Sequence, residues 1–208
     1  MSHSIFLWPV AICWFASIVI TAERIYYLWF RAGADPAAFL GRIEPLVAQG
    51  KLSEALAVCA EREGSAIGTV ATAALKNADK DRDELELAVE DATLTIGPTL
   101  QSRVSYLAML ANVVTLLGLL GTIVGLITSF AAVAGANAET KQTLLAQGIS
   151  TAMYATAGGI AAAIPTLVAY AVLAHKGNAI LDDVERVATR MVMVLVVRSK
   201  GRAAAESA

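Results

Sequence analysis

The sequence predicts an all-α integral membrane protein with three transmembrane helices, two of them extended into the cytoplasm as long rods. Three observations predict it. The 208 residues are 57% hydrophobic and 16% charged, with a mean hydropathy of +0.62, whereas a soluble domain carries about 25% charged residues. Asp, Glu, Lys and Arg are absent from residues 1–22, 104–138 and 142–175, and each stretch exceeds the roughly 20 apolar residues that cross a hydrocarbon core. Around these stretches, apolar residues recur at helical spacing among charges.

The first span occupies residues 1–30. A secretory signal would show a basic leading segment and a small-residue cleavage site, and neither is present. Trp8, Trp14 and Trp29 instead mark the interfacial positions of an uncleaved span. Residues 31–103 read as short cytoplasmic helices. Asp35-Pro36 opens an apolar-periodic run, Gly50 breaks it, and Ser53 with Glu54 starts another. From Asp83, the series Leu85, Leu87, Val89, Ala92, Leu94 and Ile96 leads toward the second span, so a rod enters the membrane with a kink or break at Pro98.

Residues 104–174 hold the second and third spans, near 108–132 and 149–173, joined by a periplasmic loop at 135–147 that carries Glu139 and Lys141. Past His175, the residues Ile180, Leu181, Val184, Val187, Ala188, Met191 and Val194 to Val197 keep helical spacing. A helix from 149 to 198 would be about 75 Å long, against a bilayer of about 30 Å. Residues 175–208 are therefore a cytoplasmic C-terminal helix, with a disordered tail from Gly201. Rods of this length need neighbours to cover their apolar stripes, which points to a homo-oligomer.

Orientation follows from the basic residues. None precedes the first span and only Lys141 separates the second from the third, while the rest lie in or beside 24–103 and 176–202. The positive-inside rule places the N-terminus outside, and the middle segment and C-terminal tail inside. A net charge of −2 gives no basic surplus for nucleic acid. His3 and His175 are too few for a multi-histidine metal site, and Cys13 and Cys59 read as packing residues. No nucleophile-base pair or phosphate-binding loop points to an enzyme, and no cofactor is expected. A small-molecule transporter would show inverted repeats and discontinuous helices, and the sequence displays neither.

Within the second span, Asn112, Thr115, Gly118, Thr122, Gly125 and Ser129 stack small and polar groups on one helical face, and Gly121 with Gly125 forms a G-x-x-x-G pair. In the third, Ala152, Thr156, Gly159 and Ala163 form one small-residue face. Thr151, Ala155, Gly158, Ala162 and Thr166 form its neighbour, with a kink at Pro165. One reading is packing, since a threonine hydroxyl can satisfy itself on a carbonyl one turn back. The other is a narrow lumen lined by Thr122 and Thr156. Asn112 either hydrates a proton exit or bonds between helices. Glu23 and Arg24 read as an interfacial anchor pair, Tyr26, Tyr27 and Trp29 as an aromatic belt, and Tyr154 as packing. No Asp, Glu, His or Lys lies inside either span, so a proton path would need its titrating group from elsewhere.

The segment Leu117-Gly-Leu-Leu-Gly-Thr-Ile-Val-Gly-Leu-Ile-Thr-Ser-Phe130, followed by Gly148-Ile-Ser-Thr-Ala-Met-Tyr-Ala-Thr-Ala-Gly-Gly-Ile-Ala-Ala-Ala-Ile-Pro165, resembles the ExbB/TolQ/MotA family of bacterial proton-driven motor subunits. Glu23-Arg24-Ile-Tyr-Tyr-Leu28 is also similar to that family. Three spans with an external N-terminus resemble ExbB and TolQ rather than the four-span MotA. The resemblance implies a homopentameric pore in the inner membrane, surrounding a single-span partner dimer of the ExbD/TolR type whose membrane aspartate carries the proton. It also implies a TonB- or TolA-like protein that spans the envelope. Thr122 and Thr156 fall on the family's pore threonines and Pro165 on its span-three proline. ExbB-like members carry a glutamate five residues before the second threonine, and here that position is Thr151. The rival expectation is a non-conducting membrane scaffold.

Overall fold

The structure, a computed structural model, describes residues 3–62 and 64–206, and all elements among them are helical. In order they are α1 (His3–Tyr26), a π-helical turn (Tyr27–Ala32), α2 (Pro36–Ala48), α3 (Leu52–Ala60), α4 (Ala66–Lys76), α5 (Arg82–Gln101), α6 (Val104–Ala134) and α7 (Ala138–Glu206). Three helical stretches are long and apolar enough to cross a membrane: Trp8–Ala48, Arg82–Ala134 and Ala138–Gly201. The chain divides into two compact units. The first contains the chain up to Arg24 together with Arg103–Leu173, and the second contains Ile25–Ser102 together with the chain from Ala174 onward.

In the first unit, α1 exposes Trp8, Ile12, Trp14, Phe15 and Ile18, as a helix meant for lipid would. Ser17 is buried and donates to the Cys13 carbonyl at 2.8 Å, which satisfies its hydroxyl without a second helix. The connection between α6 and α7 is shorter than the loop expected at 135–147, because α7 already begins at Ala138. The Asn137 carbonyl accepts from the Thr140 and Lys141 amides at 3.0 and 3.2 Å, and Glu139 lies in the first turn, where the helix dipole favours an acid. Glu139 and Lys141 are thus exposed positions on a helix.

In the second unit, side-chain caps start α2 and α4, while Lys51 before α3 and Asp81 before α5 make no side-chain cap. Asp35 accepts from the Ala37 amide at 3.0 Å with Pro36 in the first turn of α2. Gly50, at φ +80°, ends the following turn, with amide bonds from Gly50 to Val47 and from Lys51 to Leu46. Ser65 caps α4 by accepting from Gly68 at 3.2 Å. The core combines Ile43, Val47, Ile67, Val70, Leu85 and Val89 with Ile180, Val184, Val187, Met191 and Leu195 of α7, all buried. Arg190 of α7 pairs with Glu44 of α2 at 3.2 Å.

Two expectations at helix ends need correction. The rod leading to the second span breaks at Ser102 and Arg103 rather than at Pro98. Pro98 sits inside the last turn of α5, the Ser102 amide returns to its carbonyl at 2.8 Å, and Arg103 stops the helix at φ 63°. The C-terminal segment expected to be disordered is helical as far as Glu206, and its last two residues lie outside the described ones. The long rod of the third span does exist, since α7 continues through Pro165 without interruption.

Candidate functional site

The charge-free spans meet along a seam within the first unit. On α6 the buried positions are Val104, Leu107, Ala111, Val114, Gly118, Gly121, Gly125 and Ser129, a recurrence of three and four residues that keeps one face inward. Opposite them on α7 stand Gly148, Ala152, Ala155 and Gly159. A methyl group added to Gly118 would lie 3.1 Å from the Gly159 Cα, and one added to Gly159 would lie 2.9 Å from the Gly118 Cα and 3.0 Å from the Val114 carbonyl. At Gly121 it would meet the Ala155 Cβ at 2.8 Å, at Gly125 the Ala152 Cβ at 2.9 Å, and at Gly148 it would collide with the Ser129 hydroxyl. The two backbones are therefore in contact, as small residues permit between membrane helices.

The hydroxyls follow one pattern with a single departure. Thr115 donates to the Ala111 carbonyl, Thr122 to Leu119, Ser129 to Gly125, Thr151 to Gln147 and Thr166 to Ala162, each within its own helix. Thr156 crosses the seam and donates to the Gly118 carbonyl at 3.0 Å. A hydroxyl has one hydrogen but two acceptor lone pairs, so each of these oxygens keeps capacity to accept.

The predicted stripe is thereby split. Gly118, Gly121, Gly125, Ser129 and Gly159 lie in the seam. Thr122, Thr151 and Thr156 are half-buried on its flanks, while Asn112, Thr115 and Pro165 are exposed. Gly158 faces open space, and the seam takes Ala152 and Gly159 from one of the two faces expected on the third span and Ala155 from the other, while Ala162, Ala163 and Thr166 are buried farther along α7. Gly148 and Val114 were not singled out as seam positions. The repeat Gly148, Ala152, Ala155, Gly159 at spacings of four, three and four carries that signal.

The two residues of the anchor pair differ in burial. Arg24 is buried, whereas Glu23 is exposed and pairs with Arg103. Cys13 and Cys59 are free thiols, and burial pushes the Cys59 thiol up from its ordinary pKa against a smaller opposing effect of a hydrogen bond with Thr72. Among the described residues no cluster of His, Cys, Asp and Glu could hold a metal ion.

Residues 62–186 match the model of the MotA/TolQ/ExbB proton channel family. The chain belongs to that family. It is 38% identical over 105 residues to the Tol-Pal system protein TolQ of Haemophilus influenzae, covering 50% of this chain and 46% of that protein. It is 28% identical over 203 residues to the biopolymer transport protein ExbB of Pseudomonas putida, covering 92% of this chain and 61% of that one. The chain thus spans about half to three-fifths of the length of these relatives. A solved structure of MotAB from C. jejuni shares the fold, with a TM-score of 0.62 at 15% identity over 97% of this chain and 78% of the other. The matched region contains the α6–α7 seam.

Proposed function

We propose that this chain is the channel-forming subunit of a proton-driven motor in a bacterial inner membrane. In this reading it is a homopentamer whose α6 and α7 line a pore around the membrane helices of an ExbD/TolR-type dimer. Its N-terminus is periplasmic and its C-terminus cytoplasmic, and work passes through a TonB- or TolA-like protein to outer-membrane transport or other envelope processes. The observation that carries this reading is a seam flanked by hydroxyls on two helices that have no Asp, Glu, His, Lys or Arg between residues 104 and 138 or between 142 and 174. A path for protons through such a stripe takes its carboxylate from a partner. Exposed Leu116, Leu120, Ile123 and Ile127 on α6, with Met153, Ile160 and Ile164 on α7, support burial against lipid and further copies. In the second unit an apolar groove beside Leu94, Met193 and Val197 likewise supports assembly.

The hydroxyl geometry gives the mechanism a direction. A protonated carboxyl group can donate its one hydrogen to a free lone pair of Thr122 or of Thr156 while both hydroxyls keep their bonds to carbonyls. An ionised carboxylate only accepts, so it must draw a hydroxyl hydrogen away from Leu119 or from Gly118. At Thr156 that exchange removes the hydrogen bond joining α7 to α6. Proton release by the partner thus alters the seam of the subunit it faces, and five such subunits around two partner helices cannot be satisfied at once. Each proton then advances the relative rotation by a step, and a crosslink tethering one partner helix to one subunit should abolish work output.

The test is co-purification with the single-span partner, followed by stoichiometry and proton flux in proteoliposomes. Five copies around two are expected, with flux lost when the partner's membrane aspartate becomes asparagine and reduced in Thr122→Val without loss of assembly. Flux independent of that aspartate overturns the motor. The commitment of the Thr156 hydroxyl to Gly118 favours the second reading, a non-conducting scaffold, which predicts normal function for both Thr122→Val and the aspartate variant.

A further inference from the structure

We propose that the second unit holds the headgroup of a zwitterionic membrane phospholipid, a phosphoethanolamine, in a polar cavity where the π-helical turn, the start of α2 and α7 come together. The cavity, of ≈ 420 Å³, is lined by Trp29, Asp35, Ile67, Lys176, Ile180 and Asp183 among others. Its position in the sequence is that of a membrane interface. Lys176 is the first Asp, Glu, Lys or Arg after the stretch 142–175, and Trp29 lies seven residues beyond the stretch 1–22 that also lacks them.

The charges select the ligand. The Lys176 ammonium lies 5.7 Å from the centroid of the Trp29 ring, a cation–π distance, and no carboxylate among the described residues pairs with it. The ring takes one side of an ammonium that has three donors, and a phosphate oxygen would complete it. Asp35 uses Oδ1 to accept from the Ala37 amide, and Asp183 uses Oδ1 toward Arg186 at 3.2 Å. Each carboxylate keeps Oδ2 for a further donor. One cation and two carboxylates around one cavity suit a group bearing both a phosphate and a primary ammonium. A purely anionic headgroup would face both carboxylates. A choline has no N–H to give them, and the tryptophan face that would attract it is occupied by Lys176.

The backbone is shaped for this cavity. The π-helical turn is wider than an α-helical one, and such turns concentrate at functional sites. Gly33 follows it at a point where a Cβ would lie 2.9 Å from the Leu28 carbonyl, so only glycine lets the chain leave the turn along the cavity wall.

The experiment is native mass spectrometry of the full-length protein extracted in mild detergent and titrated with phosphatidylethanolamine, phosphatidylglycerol and phosphatidylcholine at equal concentrations. Phosphatidylethanolamine adducts should dominate. Lys176→Met should reduce them about tenfold, as loss of one charge-assisted hydrogen bond does. Asp35→Asn/Asp183→Asn should remove the preference over phosphatidylglycerol, and because asparagine also caps helices, this double variant decides the matter should Lys176→Met fail to fold. Equal retention of the three lipids, a preference for phosphatidylglycerol, or an ethanolamine preference that persists in either folded variant overturns the assignment.

Discussion

The closest helix contacts of the first unit and the interior of the second are made by different kinds of side chain. The α6–α7 seam joins Gly118 to Gly159, Gly121 to Ala155 and Gly125 to Ala152, with the backbones themselves in contact. The second unit fills its interior with Leu28, Ile43, Ile67, Leu85, Met191 and Leu195. In water, burying a large aliphatic side chain is favourable by about 1.5–3 kcal/mol, so bulk belongs inside. In lipid that gain disappears, because hydrocarbon surrounds the side chain on either side of the contact. Helices then associate through close approach and hydrogen bonds, and small residues win. The same chain therefore fills the second unit with large aliphatic residues, whereas in the first the closest α6–α7 contacts are glycine and alanine and Leu116, Ile123 and Phe130 are exposed.

That contrast is broken most severely at Gly159. Gly159→Leu should separate α6 from α7 and abolish extraction of a folded protein from membranes, because even the first carbon of the side chain meets backbone atoms at 2.9–3.0 Å. Gly158→Ala, one residue away with nothing within 4 Å of its added methyl, should leave the yield unchanged. Equal yields of the two variants would show that the helices are not in backbone contact.

The second unit should respond to the reverse change. Leu195→Ala deletes a fully buried side chain and should destabilise that unit by about 2–5 kcal/mol, read as a lower thermal midpoint of the detergent-solubilised protein. A smaller effect, about 1 kcal/mol, is expected for Thr156→Val, which removes the cross-seam bond to Gly118 while keeping the side-chain volume. Thr156→Ser should restore it. If valine and serine variants share one thermal midpoint, the hydroxyl contributes nothing to the seam.

How legible these features were in the sequence depended on what marks them. Absence of charge marked the spans, since only three stretches lacking it are long enough to cross a membrane. The inward face of α7 from Ile180 to Leu195 was also legible, because apolar residues there alternate with charges. The seam was half legible. Polarity drew Asn112 and Thr115 into the predicted stripe, yet both are exposed, while apolar Val114 is buried there. Polarity therefore does not decide which face is inward, and the small-residue repeat marks where the two backbones touch. The short α6–α7 connection was misread because Asn137, Glu139 and Lys141 are polar enough for a loop. An acid in the first turn is equally a helix start.

The break before α6 had no sequence signal at all, because a left-handed residue is expected to be glycine and this one is Arg103 at φ 63°. Holding a non-glycine residue there costs about 1–2 kcal/mol. Arg103 also pairs with Glu23, and both side chains are about half exposed, which limits the pair to about 0–1 kcal/mol. The two terms oppose each other, so Arg103→Gly, which relieves the strain and loses the pair, should change the thermal midpoint little or raise it slightly. Arg103→Ala loses the pair and keeps the strain, and should lower the midpoint by an amount equivalent to under about 1 kcal/mol. Glu23→Gln should match it, since it removes the same charge pairing. An Arg103→Gly variant less stable than Arg103→Ala would mean that the backbone there is not left-handed and that the break between α5 and α6 is set by another residue.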